Sequence, residues 1–362
     1  MTSLMDADVV VIGAGVMGLS AAWRLALAGR NVVVLEQFCV GHHYGSSHGP
    51  TRVFRVLYDD PLYVHMAQQA IRLWREVEAA SGAQLLRMTG GIHVDDPRVL
   101  RRFRATLESC GEVVEELRPA EPRARFPWLD AGDSAALWVE NMGVISADAT
   151  VDALHGLVRD AGVAVVEDAP VEAIERGDGV VVRAGAHQVR ASACVVAAGA
   201  WARPLLATLG VDLPVRVTRE QVLYFRTDST DLVPFVHGVP YWVYGVPSSG
   251  VLKVAEHGTG AETTADDRSF DLDEAGAQRV REYVKKVLPS LDPEPVSFET
   301  CLYTTTPDED FVLDRIGDVV VCSACSGHGF KFAPLIGETV ARVVEGTTPP
   351  VPLDRFALDR FA

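Results

Sequence analysis

Between Val9 and Glu36 the chain reads VVVIGAGVMGLSAAWRLALAGRNVVVLE, and few folds accommodate that order of residues. An apolar run, Val9 to Ile12, feeds directly into Gly13, Gly15 and Gly18. A helical pattern follows to Ala28, and a second apolar run, Val32 to Leu35, ends on Glu36. Strand, glycine turn, helix, strand and terminal acid in this order predict a dinucleotide-binding βαβ unit. Gly13 permits the tight turn, Gly15 lets backbone N–H groups approach a pyrophosphate, and Gly18 allows the helix to pack closely on the strand. The helix N-terminus offers partial positive charge to phosphate. Glu36 is placed to accept hydrogen bonds from a ribose hydroxyl. The segment alone fits NAD and FAD equally.

Size and charge bound the rest. A chain of 362 residues is long enough for two domains. Its net charge of −16, with no basic cluster, excludes nucleic acid as a partner. An anionic substrate must therefore meet a few placed cations inside an acidic shell. No apolar stretch approaches the length of a membrane span and no targeting segment is visible, so no membrane partner is expected. Cys39, Cys110, Cys194, Cys301, Cys322 and Cys325 are scattered without a disulfide framework, which fits a reducing cytoplasm. Cys322 and Cys325 form a C-x-x-C, but no second pair completes a zinc site, and no metal is expected.

Beyond the first unit the pattern predicts helices over about Leu62 to Ala80, Thr150 to Ala161, Asp273 to Val287 and Pro334 to Glu345. Residues 85 to 145 carry short strand-like runs around one helix. The runs Val163 to Val166, Val180 to Arg183 and His187 to Arg190 lead to a buried strand from Cys194 that ends in a second glycine turn, Gly199-Ala-Trp201. Nucleotide-type segments thus recur at the start, middle and end, with β-rich segments between. The expected architecture is α/β with an α+β second domain, the two interleaved. Residues 1–84, 146–215 and 304–362 are assigned to the nucleotide domain, and 85–145 and 216–303 to a substrate domain.

Three further constellations sharpen this. They are Gly45-Ser46-Ser-His48-Gly-Pro-Thr-Arg52-Val-Phe-Arg55, Cys301-Leu-Tyr303-Thr-Thr-Thr-Pro-Asp-Glu-Asp-Phe-Val-Leu-Asp314, and Ser326-Gly327-His328-Gly329-Phe330-Lys331-Phe. With the opening fingerprint, they resemble the monomeric sarcosine oxidase and N-methyltryptophan oxidase family, D-amino-acid-oxidase-type flavoenzymes with a glutathione-reductase-like Rossmann domain. The resemblance spans essentially the whole chain, and it implies FAD as cofactor and a monomeric protein. Cys301 matches the cysteine that attaches flavin through a thioether, a reaction that needs a thiolate and hence cationic neighbours. Arg55 and Lys331 match a carboxylate clamp that aims the substrate C–H bond at the flavin. Arg52 matches an arginine close to the isoalloxazine.

Lys253 matches the lysine that promotes reaction of reduced flavin with oxygen, and strand alternation puts it on the face of Val251 and Ala255. His257 matches an active-site histidine, Tyr244 and Tyr303 match aromatics lining the pocket, and Ser46 and His48 fall in the loop near the flavin. The turn Gly327 to Phe330 implies amides and a histidine facing the flavin's pyrimidine ring. Gly199 and Trp201 belong to the cofactor set as well. One departure stands out: Val246 occupies a position where sarcosine oxidase has a bulky aromatic, and His237 to Val243 brings in Tyr241 and Trp242. The pocket wall is expected to differ accordingly, and sarcosine is not the expected preferred substrate. The resemblance implies oxidation of a secondary amino acid, N-methylated or cyclic, to an imine, with oxygen reduced to hydrogen peroxide. Dehydrogenation with another acceptor, NAD-dependent chemistry, and nucleotide binding without catalysis are the alternatives.

Overall fold

The computed structural model describes residues 3–362. Its first sheet has a parallel centre of five strands, in the order Val319–Ser323, His187–Val196, Ser3–Ile12, Val32–Leu35 and Ala164–Val166. Antiparallel strands Val171–Gly177, Gly179–Ala184 and Val312–Ile316 extend it. Period-two alternation explains why the opening segment is apolar without a break: both faces of the strand are covered. Val9 and Val11 join the core under helices Val16–Leu27, Pro61–Ser81 and Ala333–Glu345, whereas Val10 and Ile12 join the core on the opposite face. The runs at His187 and Cys194, expected as two pieces, form one continuous strand. Its first half pairs with Gly179–Ala184 and its second with Val319–Ser323.

The fingerprint glycines sit where a side chain has no room. Gly13 has φ of 101°, and a Cβ there would lie 2.6 Å from the Ala197 carbonyl oxygen. A Cβ on Gly18 would lie 1.8 Å from the carbonyl oxygen of Gly13. The first makes the turn possible and the second lets the helix settle on it. The helix Pro61–Ser81 shows ordinary punctuation: the Asp60 carboxylate accepts from Leu62 N–H at 2.8 Å, Pro61 opens it, and Gly82 at φ 72° ends it.

A second sheet of nine strands holds residues from 91 to 305 and is antiparallel except where Gly91–Val94 runs beside Phe235–His237. Helix Glu274–Val287 covers one face, with Leu223, Phe225, Leu252 and Val254 buried beneath it. The register then fixes what lies on the other face. Lys253 pairs with Tyr224 and Val246, Glu220 with Cys301, and Thr218 with Tyr303. Residues opposite one another share a face, so Tyr244, Lys253, Cys301 and Tyr303 all point toward the first sheet. A third, small sheet of Thr51–Arg55, Met142–Ser146 and Leu86–Met88 lies between the two. It delivers Arg52 and Arg55. Residues 85 to 145 also hold a second short helix, Glu121–Arg125, besides Pro97–Ser109.

Candidate active site

One cavity of about 1150 Å³ runs between the two large sheets, larger than most small-molecule pockets. At one end it is walled by Gly13, Gly15, Glu36, Gly199 and Trp201, and at the other by Arg55, Lys253, His257, Cys301, Tyr303 and Lys331. Arg52, Tyr244, Ser46, His48 and Gly327 to Phe330 line it between and around those ends. Of the candidate catalytic and cofactor-binding residues, Gly18 alone is absent from the wall, as its packing role requires.

At the nucleotide end Glu36, expected to meet a ribose hydroxyl, accepts from Ala14 N–H at 2.6 Å and Phe38 N–H at 3.0 Å, and so also braces the glycine turn. The helix Val16–Leu27 has no side-chain cap on Gly15, and Val16 N–H donates to Ser47 Oγ at 3.0 Å. Ser47 was missed in the sequence, where nothing separates it from Ser46. Ser46 Oγ instead donates to the Leu302 carbonyl at 2.6 Å, tying the glycine-rich loop to the strand that carries Cys301. Trp201 stands against Phe38 and donates its indole N–H to Asp266 at 2.7 Å.

Four cations converge on the other end, and their partners are neutral. Arg52 donates to the carbonyls of Thr51, Ser46 and His48. Arg55 donates to the Leu57 carbonyl at 2.8 Å and lies over the Tyr58 ring at 4.7 Å. Lys253, 2% exposed, donates to the Thr51 carbonyl. Lys331, 3% exposed, donates to Tyr58 Oη at 3.0 Å and the His328 carbonyl at 2.6 Å. No carboxylate forms an ion pair with any of them among the described residues, although Glu299 and Asp148 lie close enough to favour the charged form of Lys253. Such a cluster suits an anionic ligand.

Burial sets the protonation of this region. It pushes Lys253 down to about 7, with Arg52 adding to the effect. His257 is lowered to about 4 by burial and by the charges of Arg55 and Lys331, so it is neutral at physiological pH. Its Nδ1 lies 3.3 Å from Tyr303 Oη. Cys301 corrects the expectation of a resting thiolate: burial raises its pKa, and the nearby Arg52 and Lys253 offset only part of that. His48 is lowered to about 3, chiefly by burial, and both its ring nitrogens are buried without a partner. His43, His48 and Glu299 bring ligand atoms within 4.8 Å of one another. Arg52 and Arg268 beside His48 oppose a metal ion there, and Tyr224 already donates to Glu299 at 2.6 Å.

The wall nearest the mouth departs from expectation. Val246 is fully buried in its sheet and forms no part of the cavity, so it sets no pocket dimension. Tyr241 turns away to pack on His237 and Tyr283. Trp242, 57% exposed, does line the opening. Its loop is braced by a pair the sequence did not reveal: His93 Nε2 lies 3.0 Å from Asp95, which also accepts from Val239 N–H at 3.2 Å. Tyr58, which joins Arg55 to Lys331, was missed too; it lies in the irregular segment just after the strand that ends at Arg55.

Fold and cavity together define a flavin- or nicotinamide-type dinucleotide oxidoreductase, with an anion site facing the reactive half of the cofactor. Comparison with known proteins settles the family. Residues 8–343 match the family of FAD dependent oxidoreductases. The chain is 31% identical to a monomeric sarcosine oxidase of Arthrobacter sp. over 95% of its own length and 94% of the relative's. It is 30% identical to an N-methyl-L-tryptophan oxidase of Yersinia pestis, covering 99% of this chain and 100% of that one. Among solved structures, L-proline dehydrogenase from P. horikoshii superposes with a TM-score of 0.89 at 22% identity, over 99% of this chain and 98% of the other. The chain belongs to the FAD-dependent oxidoreductase family, and its α/β architecture includes the Rossmann domain that binds FAD.

The residues present fit that cofactor. The cavity has a glycine turn that opens a helix at one end and buried, unpartnered polar groups, His48 foremost, farther along it. Among the described residues no helix is long and apolar enough to cross a membrane.

Proposed function

We propose that this protein is an oxidase of secondary amino acids, N-methylated or cyclic, that uses oxygen as the electron acceptor. The observation that carries this is the cluster of four basic side chains without an ion-paired carboxylate among the described residues at the reactive end of the cavity, Arg55 lying over the Tyr58 ring and Lys331 bonded to its hydroxyl. Bound FAD supplies the two-electron chemistry, accepting a hydride equivalent from the substrate and passing the electrons on. The protein supplies the rest. Arg55 presents a planar fork to the substrate carboxylate, and Lys331 lies beside it. Held at that end, the substrate keeps its α C–H bond in one orientation, which is catalysis by positioning. His257 and Tyr303, both uncharged, border the amine without trapping it as a cation. Lys253 supplies a positive charge in a dry setting, where negative charge developing on oxygen is stabilised most.

Relatives named for sarcosine and N-methyltryptophan oxidation support the substrate class. The same reading makes the chain two interleaved domains, the FAD domain of residues 1–84, 146–215 and 304–362 and the substrate domain of 85–145 and 216–303. It also makes the protein a monomer of the cytoplasm. Cys301 is the tether for FAD, with Arg52 and Lys253 as the cations that favour its thiolate. Protein precipitated with acid is expected to stay yellow, and Cys301→Ser to release its flavin into the supernatant. A colourless wild-type pellet rejects the tether. Screening N-methyl and cyclic amino acids for peroxide tests the activity, and protein that binds FAD yet oxidises none of them contradicts it.

A further inference from the structure

We propose that the cavity continues past the carboxylate clamp into a subsite for a flat, apolar ring carried by the substrate, and that Trp242 determines its specificity. The inference rests on the function proposed above and narrows its substrate class. Within secondary amino acids, it selects those whose α-carbon bears a ring-containing side chain over sarcosine, which bears none.

The floor of the subsite follows from strand order. Cys301 lies on Ser297–Thr305, and Arg216–Arg226 separates that strand from Val251–Glu256, which carries Lys253. Beyond Lys253 the sheet continues through Val243–Ser248, Phe235–His237 and Gly91–Val94. Register pairs Tyr244 with Val236 and Val236 with His93, so the three share the face that bears Lys253. All three line the cavity. Three strand spacings carry the floor about 14 Å from the strand of Lys253 to that of His93. The direction is away from the proposed tether at Cys301, so this end of the floor serves the substrate and not the cofactor.

Two walls rise from it. One is helix Pro97–Ser109, whose Phe103 ring meets the His93 ring at 4.9 Å and whose Val99 lies one turn earlier. The other is the loop from Gly238 to Trp242. Val239 and Trp242 are largely exposed, and both line the cavity with Val99 and Phe103. Trp242 is held there against its own preference. Its φ is 51°, in the left-handed region that a bulky residue rarely adopts and that persists only where the surroundings enforce it. Its N–H donates to the Gly238 carbonyl at 2.8 Å, and its carbonyl accepts from His257 N–H at 2.9 Å. At the start of the loop Asp95 accepts from Val239 N–H, and a Cβ on Gly238 would lie 1.8 Å from Asp95 Oδ2. A backbone pinned at both ends thus presents an indole to the cavity beside the strand that leads to His257.

The charges around this end are already paired. His93 Nε2 lies 3.0 Å from Asp95, which also accepts from Asp96 N–H at 2.7 Å. Asp59 pairs with Arg102 at 2.6 Å where the cavity meets solvent. The walls offer ring faces from Phe103 and Trp242 and methyl groups from Val99 and Val239, which suit an uncharged ring. The clamp adjoins both walls: burial first, and Arg55 after it, disfavour the charged forms of His93 and His257, so Arg55 lies near each. A substrate held by its carboxylate at Arg55 reaches the subsite with the group on its α-carbon. Burial of that group is a gain that ring-bearing substrates have and sarcosine lacks.

The test uses holoenzyme with propionate and 3-phenylpropionate, carboxylates that differ only by the ring, titrated by the change in flavin absorbance. 3-Phenylpropionate should bind about tenfold or more tighter than propionate. In Trp242→Ala the ratio of the two Kd values should fall to about 2, and Trp242→Phe, which keeps a ring, should restore most of it. The ratio of kcat/KM for N-methylphenylalanine to that for sarcosine should follow the same order across wild type and the two variants. Equal binding of both carboxylates to wild type overturns the subsite. A ratio preserved in Trp242→Ala, even with both affinities lowered, assigns Trp242 to loop structure and overturns its role in specificity. Holoenzyme that binds neither carboxylate contradicts the Arg55–Lys331 clamp, and the subsite falls with it. A ring preference that Trp242→Ala abolishes, in an enzyme that oxidises no amino acid, upholds the subsite and contradicts the oxidase reading alone.

Discussion

Replacing Lys253 with methionine is expected to slow the reaction of the reduced enzyme with oxygen by about 10²–10³-fold, the usual cost of removing one preorganised charge from a dry site. Reduction by substrate should change far less, because Lys253 lies away from the carboxylate clamp and bonds only to the Thr51 carbonyl. Stopped-flow measurement separates the two half-reactions. The sign of the pH dependence follows from the same residue. Only the ammonium form stabilises negative charge on oxygen, so the rate should fall as pH rises through the lysine pKa. Burial places that pKa at about 7, and a neighbouring anion, such as reduced flavin, raises it. Equal losses in both half-reactions would assign Lys253 to structure and leave the oxygen step without a promoter.

Removing the other key cation acts on the opposite half-reaction. Arg55→Ala strips the carboxylate site of its fork and should cost about 2–5 kcal/mol in transition-state binding. At tenfold per 1.4 kcal/mol this is roughly a 30- to 4,000-fold loss of kcat/KM. The rate of reoxidation should be nearly unaffected. Arg55 also bonds the Leu57 carbonyl and covers Tyr58, so some loss comes from a loosened Tyr58. Arg55→Lys distinguishes the two contributions: it restores charge without the fork and should recover only part of the activity. A neutral substrate analogue lacking the carboxylate should be indifferent to both changes.

Residues whose role is written in local sequence were legible. Gly13 and Gly18 could be assigned because a turn and a close packing contact each exclude a side chain, and the 2.6 and 1.8 Å approaches are of that kind. Lys253 could be placed on a face because alternation in a strand is strict. Relations set by distant chain were not legible. The oxygen that Lys253 bonds is on Thr51, and the group linking Arg55 to Lys331 is Tyr58. No pattern in either segment announces the other. Val246 shows the converse. It occupies the face that bears Lys253, yet packing buries it completely and keeps it out of the cavity. Protonation was the least legible property. The cations expected at Cys301 and Lys331 are present, but burial outweighs them at the thiol and lowers the lysine's pKa.

The central claim is that a secondary amino acid delivers two electrons to FAD in this cavity and that oxygen then collects them. Anaerobic mixing of the purified yellow enzyme with a panel of N-methyl and cyclic amino acids tests it most directly. At least one should bleach the flavin fully in a single turnover, with a rate lowered in Arg55→Ala, and admission of air should restore the colour with one peroxide formed per flavin. Flavin that stays oxidised with every member of the panel would contradict the claim. Bleaching that air fails to reverse would contradict the choice of oxygen as acceptor.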